Sequence, residues 1–324
     1  MEYTHLGRSG LSVSRLCLGT MNFGPKTEEA DAHAIMDSAR ERGINFFDTA
    51  NVYGWGENKG WTEQIIGRWF AKGGGRREDT VIATKLYGSM SERPNDTFLS
   101  ALNIRRALDA SLQRLQTDYI DLYQFHHVDR NTPWDEIWQA MEVAVQQGKI
   151  IYNGSSNFAG WHIARAQENA QRRNFTGLVS EQSIYNLINR SVELEVIPAA
   201  QEYGLGLLPW SPLQGGLLGG ILQKEADGGG RRAEGRVRDL LEKHREQIRQ
   251  YEEFAAELEI EPGVLALAWL LHQPAVTAPL VGPRTMRQLD DALTALDVSL
   301  DEQALERLDA IFPGHRTAPE DYAW

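Results

Sequence analysis

Residues 119–154 read YIDLYQFHHVDRNTPWDEIWQAMEVAVQQGKIIYNG, and they decide the fold class. Tyr119 to Phe125 is a short run of apolar, aromatic and β-branched residues that predicts a strand. Trp134 to Gln147 predicts a helix, and Ile150 to Gly154 resumes the strand pattern. A strand, a crossover helix and a second strand make the repeating unit of a parallel sheet. Working back from this unit, a helix is expected at Ala101 to Gln116, where Ile104, Leu108, Leu112 and Leu115 form an apolar stripe. A strand at Thr80 to Thr84, a helix near Thr62 to Ala71 and a strand at Asn45 to Thr49 come before it. Earlier still lies a helix at Glu28 to Arg42, with Ala32, Ile35, Met36 and Ala39 on one face and Gly43 placed to end it. The first strand is expected at Arg15 to Leu18.

Working forward, a helix is expected near Gly160 to Arg172, a strand at Leu178 to Gln182, a helix near Val192 to Tyr203 and a strand at Gly206 to Pro209. The last strand, Ala278 to Val281, carries a helix at Thr285 to Leu296. Eight strands with crossover helices close naturally into an α/β structure of the (β/α)8 TIM-barrel type, one domain over residues 1–324. An open doubly wound sheet has fewer strands and a glycine-rich first turn. Two additions flank the repeat. Tyr3 to Leu6 and Leu11 to Ser14 read as an N-terminal β-hairpin around Gly7-Arg8-Ser9-Gly10. Between the seventh and eighth strands lies a long insertion, with a loop at Gln214 to Gly235, a helix near Gln247 to Leu258 and a helix opened by Pro262. A long loop at that place reads as a cover for a ligand.

Composition narrows the function. Lys plus Arg number 33 against 45 Asp plus Glu, and the net charge of −12 disfavours nucleic acid and acidic membranes as partners. The apolar run Val264 to Leu271 is far short of the roughly 20 residues a membrane span needs. With a polar N-terminus, Met1 to Gly10, the expectation is a cytoplasmic protein. Cys17 is the single cysteine, which excludes an internal disulfide and a cysteine-built zinc cage; it reads as a core residue, and no metal is expected. Arg231, Arg232, Arg236 and Arg238 read as a solvated loop after Gly228-Gly229-Gly230. The outer helical faces can serve solvent or a second subunit of a homo-oligomer.

In such a barrel the reactive groups stand at the C-terminal ends of the strands. Asp48 ends the second strand, Lys85 the third and His126 the fourth, and Tyr53 lies in the loop after Asp48. Singly, each has an ordinary structural explanation; together they bring an acid, a cation, an imidazole and a phenol to one mouth. A phenol, with a pKa near ~10, donates a proton poorly unless a cation stabilises its anion. Lys85 could do this, with Asp48 holding the lysine and His126 donating to a carbonyl oxygen. Such a group reduces carbonyls when a cofactor brings hydride, which no side chain provides. The sequence has no G-x-G-x-x-G and no P-loop, so a dinucleotide would lie extended across the mouth. Arg284, in Gly282-Pro283-Arg284-Thr285, could grip a phosphate beside a helix N-terminus.

These residues carry a resemblance that covers nearly the whole chain. Phe47-Asp48-Thr49-Ala50 with Tyr53-Gly54, Ala83-Thr84-Lys85, Tyr119 to His126, Gly154-Ser155-Ser156-Asn157-Phe158, Trp210-Ser211-Pro212-Leu213 and Gly282-Pro283-Arg284 resemble the aldo-keto reductase family. Within it, the sequence is most similar to the bacterial branch related to potassium-channel β subunits. The resemblance implies an NADPH-dependent reductase of a small-molecule carbonyl, sugar-like or from a natural product, with Asp48, Tyr53, Lys85 and His126 as catalytic residues. It also implies a cofactor set that includes Thr20, Met21 and Gly282, with Ser156, Asn157 and Gln182 at the nicotinamide carboxamide and Trp210 stacked on the ring. Ser211, Leu213 and Gly215 would line the pyrophosphate, and Arg284 would bind the adenosine 2'-phosphate, with Gln288 and Asp291 nearby. Phe23, Trp55, Tyr87 and His127 are candidate walls of the substrate pocket. The chain departs from the family where His127 replaces a frequent Trp, where Gly54 to Thr62 is long, and where Ala292 replaces a frequent adenine-contacting Asn. Two alternatives stay open at this point: a lyase forming a Schiff base on Lys85, and a regulatory subunit that senses cofactor redox state.

Overall fold

The computed structural model describes residues 1–226 and 235–323. A short antiparallel hairpin of β1 (Tyr3–His5) and β2 (Ser12–Ser14) comes first. Eight parallel strands follow: β3 (Cys17–Gly19), β4 (Phe46–Asp48), β5 (Val81–Leu86), β6 (Ile120–Phe125), β7 (Ile150–Ser156), β8 (Leu178–Gln182), β9 (Gly206–Leu207) and β10 (Leu280–Val281). They are hydrogen-bonded in the order β10-β3-β4-β5-β6-β7-β8-β9. Thr277 N donates to Leu207 O at 2.9 Å and Leu280 N to Pro209 O at 2.8 Å, joining the two ends of that order. The architecture is the expected (β/α)8 barrel.

The crossover helices α1 (Glu29–Glu41), α2 (Trp61–Phe70), α3 (Ala101–Leu115), α4 (Trp134–Gln146), α5 (Gly160–Arg172) and α6 (Val196–Glu202) each bury one face. In α1 the buried set is Ala32, His33, Ile35, Met36 and Ala39, the spacing a 3.6-residue period requires. Ser100 caps α3 by accepting from Asn103 N, which fixes where that helix starts. The insertion contains α7 (Ile221–Ala226), α8 (Arg236–Glu257) and α9 (Pro262–Leu271), and the chain ends with α10 (Met286–Thr294), α11 (Glu302–Ile311) and α12 (Ala318–Tyr322). None of the described helices is long and apolar enough to cross a membrane.

Three expectations need correction. Helix α8 starts at Arg236 rather than near Gln247, because Leu241 and Ile248 pack with Leu217 and Ile221 in a small core of their own. Arg236 and Arg238 therefore belong to a helix and not to a loop; Arg231 and Arg232 lie outside the described residues. Helix α6 starts at Val196, since residues 191–193 form a separate 3-10 turn. Helices α7, α11 and α12 were not anticipated.

Strand alternation positions the site. Side chains two apart share a face, and the inward positions change character along each strand. Phe46, Ala83 and Leu122 pack with Cys17 and with Leu6 and Val13 around the hairpin, closing the N-terminal end of the barrel with apolar groups. Burial pushes the Cys17 thiol well up, in keeping with a core residue. Two residues further along each of three strands stand Asp48, Lys85 and Gln124, all buried and all polar. The apolar plug below removes water from this polar layer above it.

Candidate active site

Lys85 is fully buried, and its ammonium donates to Asp48 Oδ1 at 2.5 Å, to Thr49 O at 2.9 Å and to Tyr53 Oη at 3.4 Å. Burial opposes its charge, but Asp48 and Tyr53 outweigh burial and hold its pKa above the usual lysine range. The other Asp48 oxygen accepts from Gln124 Nε2 at 3.0 Å and Gln182 Nε2 at 2.9 Å, so every strong contact of the carboxylate is taken. Tyr53 reaches the lysine from the loop after β4. Gly54 makes the tight turn there: its φ is +112°, and a Cβ would lie 1.9 Å from Asn58 O. The ring of His126 meets that of Tyr53 edge to face, centroids 6.0 Å apart. Asp48, Tyr53, Lys85 and His126 thus come together as the sequence suggested.

The electrostatics differ from the simplest expectation in one respect. Burial raises the Tyr53 phenol and Lys85 pulls it down, and the net direction is up. The lysine charge is already shared with Asp48, so it does not offset desolvation of the resting phenolate. Desolvation, then Lys85, then His127 drive His126 down to about 2, which leaves its imidazole neutral over the physiological range.

Beside this corner, the exits of β7 and β9 are tied together. Asn157, at φ +59°, donates from Nδ2 to His126 O at 3.1 Å and to Ser156 Oγ at 2.9 Å, and its Oδ1 accepts from Trp210 Nε1 at 3.1 Å. The Trp210 ring is therefore fixed in orientation while staying partly exposed. Asn186 holds the next segment, donating to Ser211 O at 3.0 Å and Gln214 Oε1 at 2.9 Å. Ser211, Gln214, Gly215 and Gly216 all have positive φ there, with Gly215 and Gly216 exposed. Leu213 is partly buried in the same loop.

Across the mouth, Thr285 caps α10 by accepting from Gln288 N, and Gln288 Oε1 accepts from Arg284 N at 2.8 Å. The Arg284 side chain is exposed and makes no ion pair or hydrogen bond among the described residues. Gly282 is exposed alongside it, and Asn22 Nδ2 donates to its carbonyl at 2.9 Å. Asp291 lies on the next turn, 3.9 Å from Arg287.

The candidate pocket walls separate into two groups. Trp55, Tyr53, His126, His127, Tyr87 and Phe98 form a chain of ring contacts with centroids 5.2–6.0 Å apart, so Trp55, Tyr87 and His127 do line one rim. Phe98 joins them without having been anticipated. Phe23 does not: it is fully buried among Leu16, Leu18 and Ile65, because the chain after β3 folds back under α2, and Thr62 Oγ1 donates to its carbonyl at 2.9 Å. Thr20 is also fully buried, its hydroxyl donating to Asp48 O at 2.8 Å, while its neighbour Met21 is exposed. Gln182, expected at the nicotinamide, donates from its amide nitrogen to Asp48 Oδ2. Gln124 is a further polar member of the site, and its signal in the sequence is an amide two residues beyond the inward-facing Leu122.

Comparison with known proteins agrees with this geometry. Residues 15–312 match the model of the Aldo/keto reductase family. The chain is 56% identical, over the full length of both, to the uncharacterized oxidoreductase YrpG of Bacillus subtilis (strain 168). It is 34% identical to a probable voltage-gated potassium channel subunit beta of Oryza sativa subsp. japonica, covering 99% of this chain and 100% of that one. It is 33% identical to versiconal hemiacetal acetate reductase of Aspergillus parasiticus, covering 98% of this chain and 100% of that one. A barrel mouth with this buried Asp–Lys–Tyr corner, and a sequence match running almost end to end, place the chain in the aldo/keto reductase family as an oxidoreductase.

Proposed function

We propose that the protein reduces an aldehyde or ketone to an alcohol, taking hydride from NADPH and a proton from Tyr53. The observation that carries this reading is the buried contact of the Lys85 ammonium with both Asp48 and Tyr53. NADPH supplies the hydride when bound. Tyr53, its phenol raised by burial, stays protonated and gives its proton to the carbonyl oxygen as the C=O electron pair moves onto that oxygen. Lys85 then faces the new phenolate and stabilises it. Neutral His126 stands at the same edge as a hydrogen-bond donor to the carbonyl oxygen.

The residues present fit a dinucleotide. Asn157 and Ser156 offer polar groups to a carboxamide, the oriented Trp210 ring offers a stacking face, and Gly216, with open space where a Cβ would stand, leaves room for a pyrophosphate beside Gly215. Arg284 has a guanidinium free for a 2'-phosphate beside a capped helix end, which favours NADPH over NADH. A Schiff base on Lys85 fits poorly, since that amine is held charged by Asp48. The substrate would enter along the ring-lined rim, and the relative named versiconal hemiacetal acetate reductase agrees with a natural-product carbonyl.

Replacing Tyr53 with Phe tests the reading. Turnover of a carbonyl panel should fall about a hundredfold to ten-thousandfold while NADPH still quenches tryptophan fluorescence. Undiminished turnover in Tyr53→Phe would remove the phenol from the mechanism, and wild-type protein that binds no NADPH would remove the cofactor.

A further inference from the structure

Next to Gln182 on β8 stands Glu181, which the proposed chemistry does not use. It is fully buried on the sheet face opposite Gln182, and among the described residues no cation lies within ion-pair distance. Three donors converge on it instead. Ser155 Oγ donates to Oε2 at 2.5 Å, Ser183 Oγ to Oε1 at 2.7 Å and Phe158 N to Oε1 at 3.0 Å. Two of these donors bracket Ser156 and Asn157, at the exit of β7. A buried carboxylate without a counter-charge is costly, and burial pushes this one up to about 7 against the pull of its hydrogen bonds. An apolar residue would relieve that cost but leave the Phe158 amide and the Ser183 hydroxyl unpaired, and Ser155 with only its longer contact to Ser180 O at 3.3 Å.

We infer that Glu181 is a positioning residue: by gripping Ser155 and Phe158 it holds Asn157 in its left-handed conformation, and Asn157 in turn fixes the Trp210 ring and the His126 backbone. Left-handed backbone at a non-glycine residue costs free energy, least at asparagine, and here it is held by the hydrogen bonds of its neighbours. Asn157 N also donates to Gln182 O at 3.0 Å, so adjacent residues of one strand hold the two halves of the mouth. Gln182 orders Asp48 inside the barrel, and Glu181 orders the nicotinamide-facing loop from outside it. The part of this inference that concerns the cofactor rests on the NADPH reading; the part that concerns the Trp210 ring does not.

The test uses Glu181→Gln, of the same shape, and Ser155→Ala, which keeps the carboxylate and removes one donor, both at pH 8.5. In ligand-free protein, the indole N–H resonance of Trp210, assigned with Trp210→Phe, should shift or broaden in Glu181→Gln and shift less in Ser155→Ala. In binding, NADPH affinity should fall about tenfold in Glu181→Gln. Affinity for adenosine 2',5'-bisphosphate, which reaches only the Arg284 end, should stay within about twofold. An unmoved Trp210 resonance overturns the inference, as does equal weakening of both ligands, which marks general loosening of the fold. Wild-type protein that binds neither ligand sinks the cofactor reading, and the resonance still decides the role of Glu181.

Discussion

Lys85 and Arg284 are two cations at the same barrel mouth, and the fold treats them in opposite ways. Lys85 is fully buried and has three oxygen partners within the protein, whereas the Arg284 side chain is exposed and has none among the described residues. A buried charge must be compensated when the chain folds, because desolvation is too costly to leave open until a ligand arrives. An exposed guanidinium stays hydrated cheaply and can exchange water for a phosphate on binding. Lys85 is accordingly part of the folded framework, while Arg284 is left open to solvent at the mouth, where the proposed function puts a phosphate.

The contrast breaks most visibly at Lys85. In Lys85→Met, Asp48 would remain buried without its counter-charge, and we expect a loss of ~3–5 kcal/mol in denaturant unfolding together with loss of turnover. Adding Asp48→Asn should restore much of the stability and none of the activity. If the single variant unfolds like the wild type, the pair is not the framework element described.

At Arg284 the expectation is reversed. Arg284→Ala should leave unfolding within about 0.5 kcal/mol, yet weaken NADPH by ~1.5–3 kcal/mol, roughly ten- to a hundredfold in Kd. NADH affinity should be unchanged, and equal loss of both cofactors would give Arg284 a structural role. A smaller effect is expected next door. Thr285→Ala removes the cap of α10 and should cost about 1 kcal/mol, read as a lower Tm, with only a modest effect on NADPH.

A further effect concerns acid. His126 is held at about 2, far below its unfolded value of ~6.5. Between those values the unfolded chain binds a proton that the folded chain refuses, so His126 makes stability fall as pH drops from about 6.5 toward 2. A His126→Asn variant should lose less stability than wild type between pH 7 and pH 5. An identical decline in both would show that His126 titrates normally in the folded protein.

The parts of this protein legible in sequence follow from local periodicity. The alternation of strand-like and helical segments gave the barrel, because inward and outward faces repeat at 2.0 and 3.6 residues whatever the distant contacts are. Asp48, Lys85 and His126 could be placed at one mouth by their strand-end positions and Arg284 by its place before a helix start, and motif resemblance added Asn157 and Trp210. The start of α8 was not legible, since that helix is extended by packing on Leu217 and Ile221, which lie before the intervening residues. Phe23 was misplaced for a similar reason: an aromatic beside a strand end looks like a pocket wall until the path of the chain under α2 is known.

The amino-acid sequence alone therefore determined the strand order, the chemistry available at the mouth and the absence of cysteine pairing, all of which depend on residue type and spacing. Only the tertiary structure decided which polar side chains bind one another. It turned the Gln182 amide nitrogen to Asp48, added Gln124 to the same carboxylate, and left Glu181 facing the loop at Asn157. Those assignments depend on distances across neighbouring strands and on burial, and burial sets both the cost of an unpaired polar group and the direction in which a titrating one is pushed.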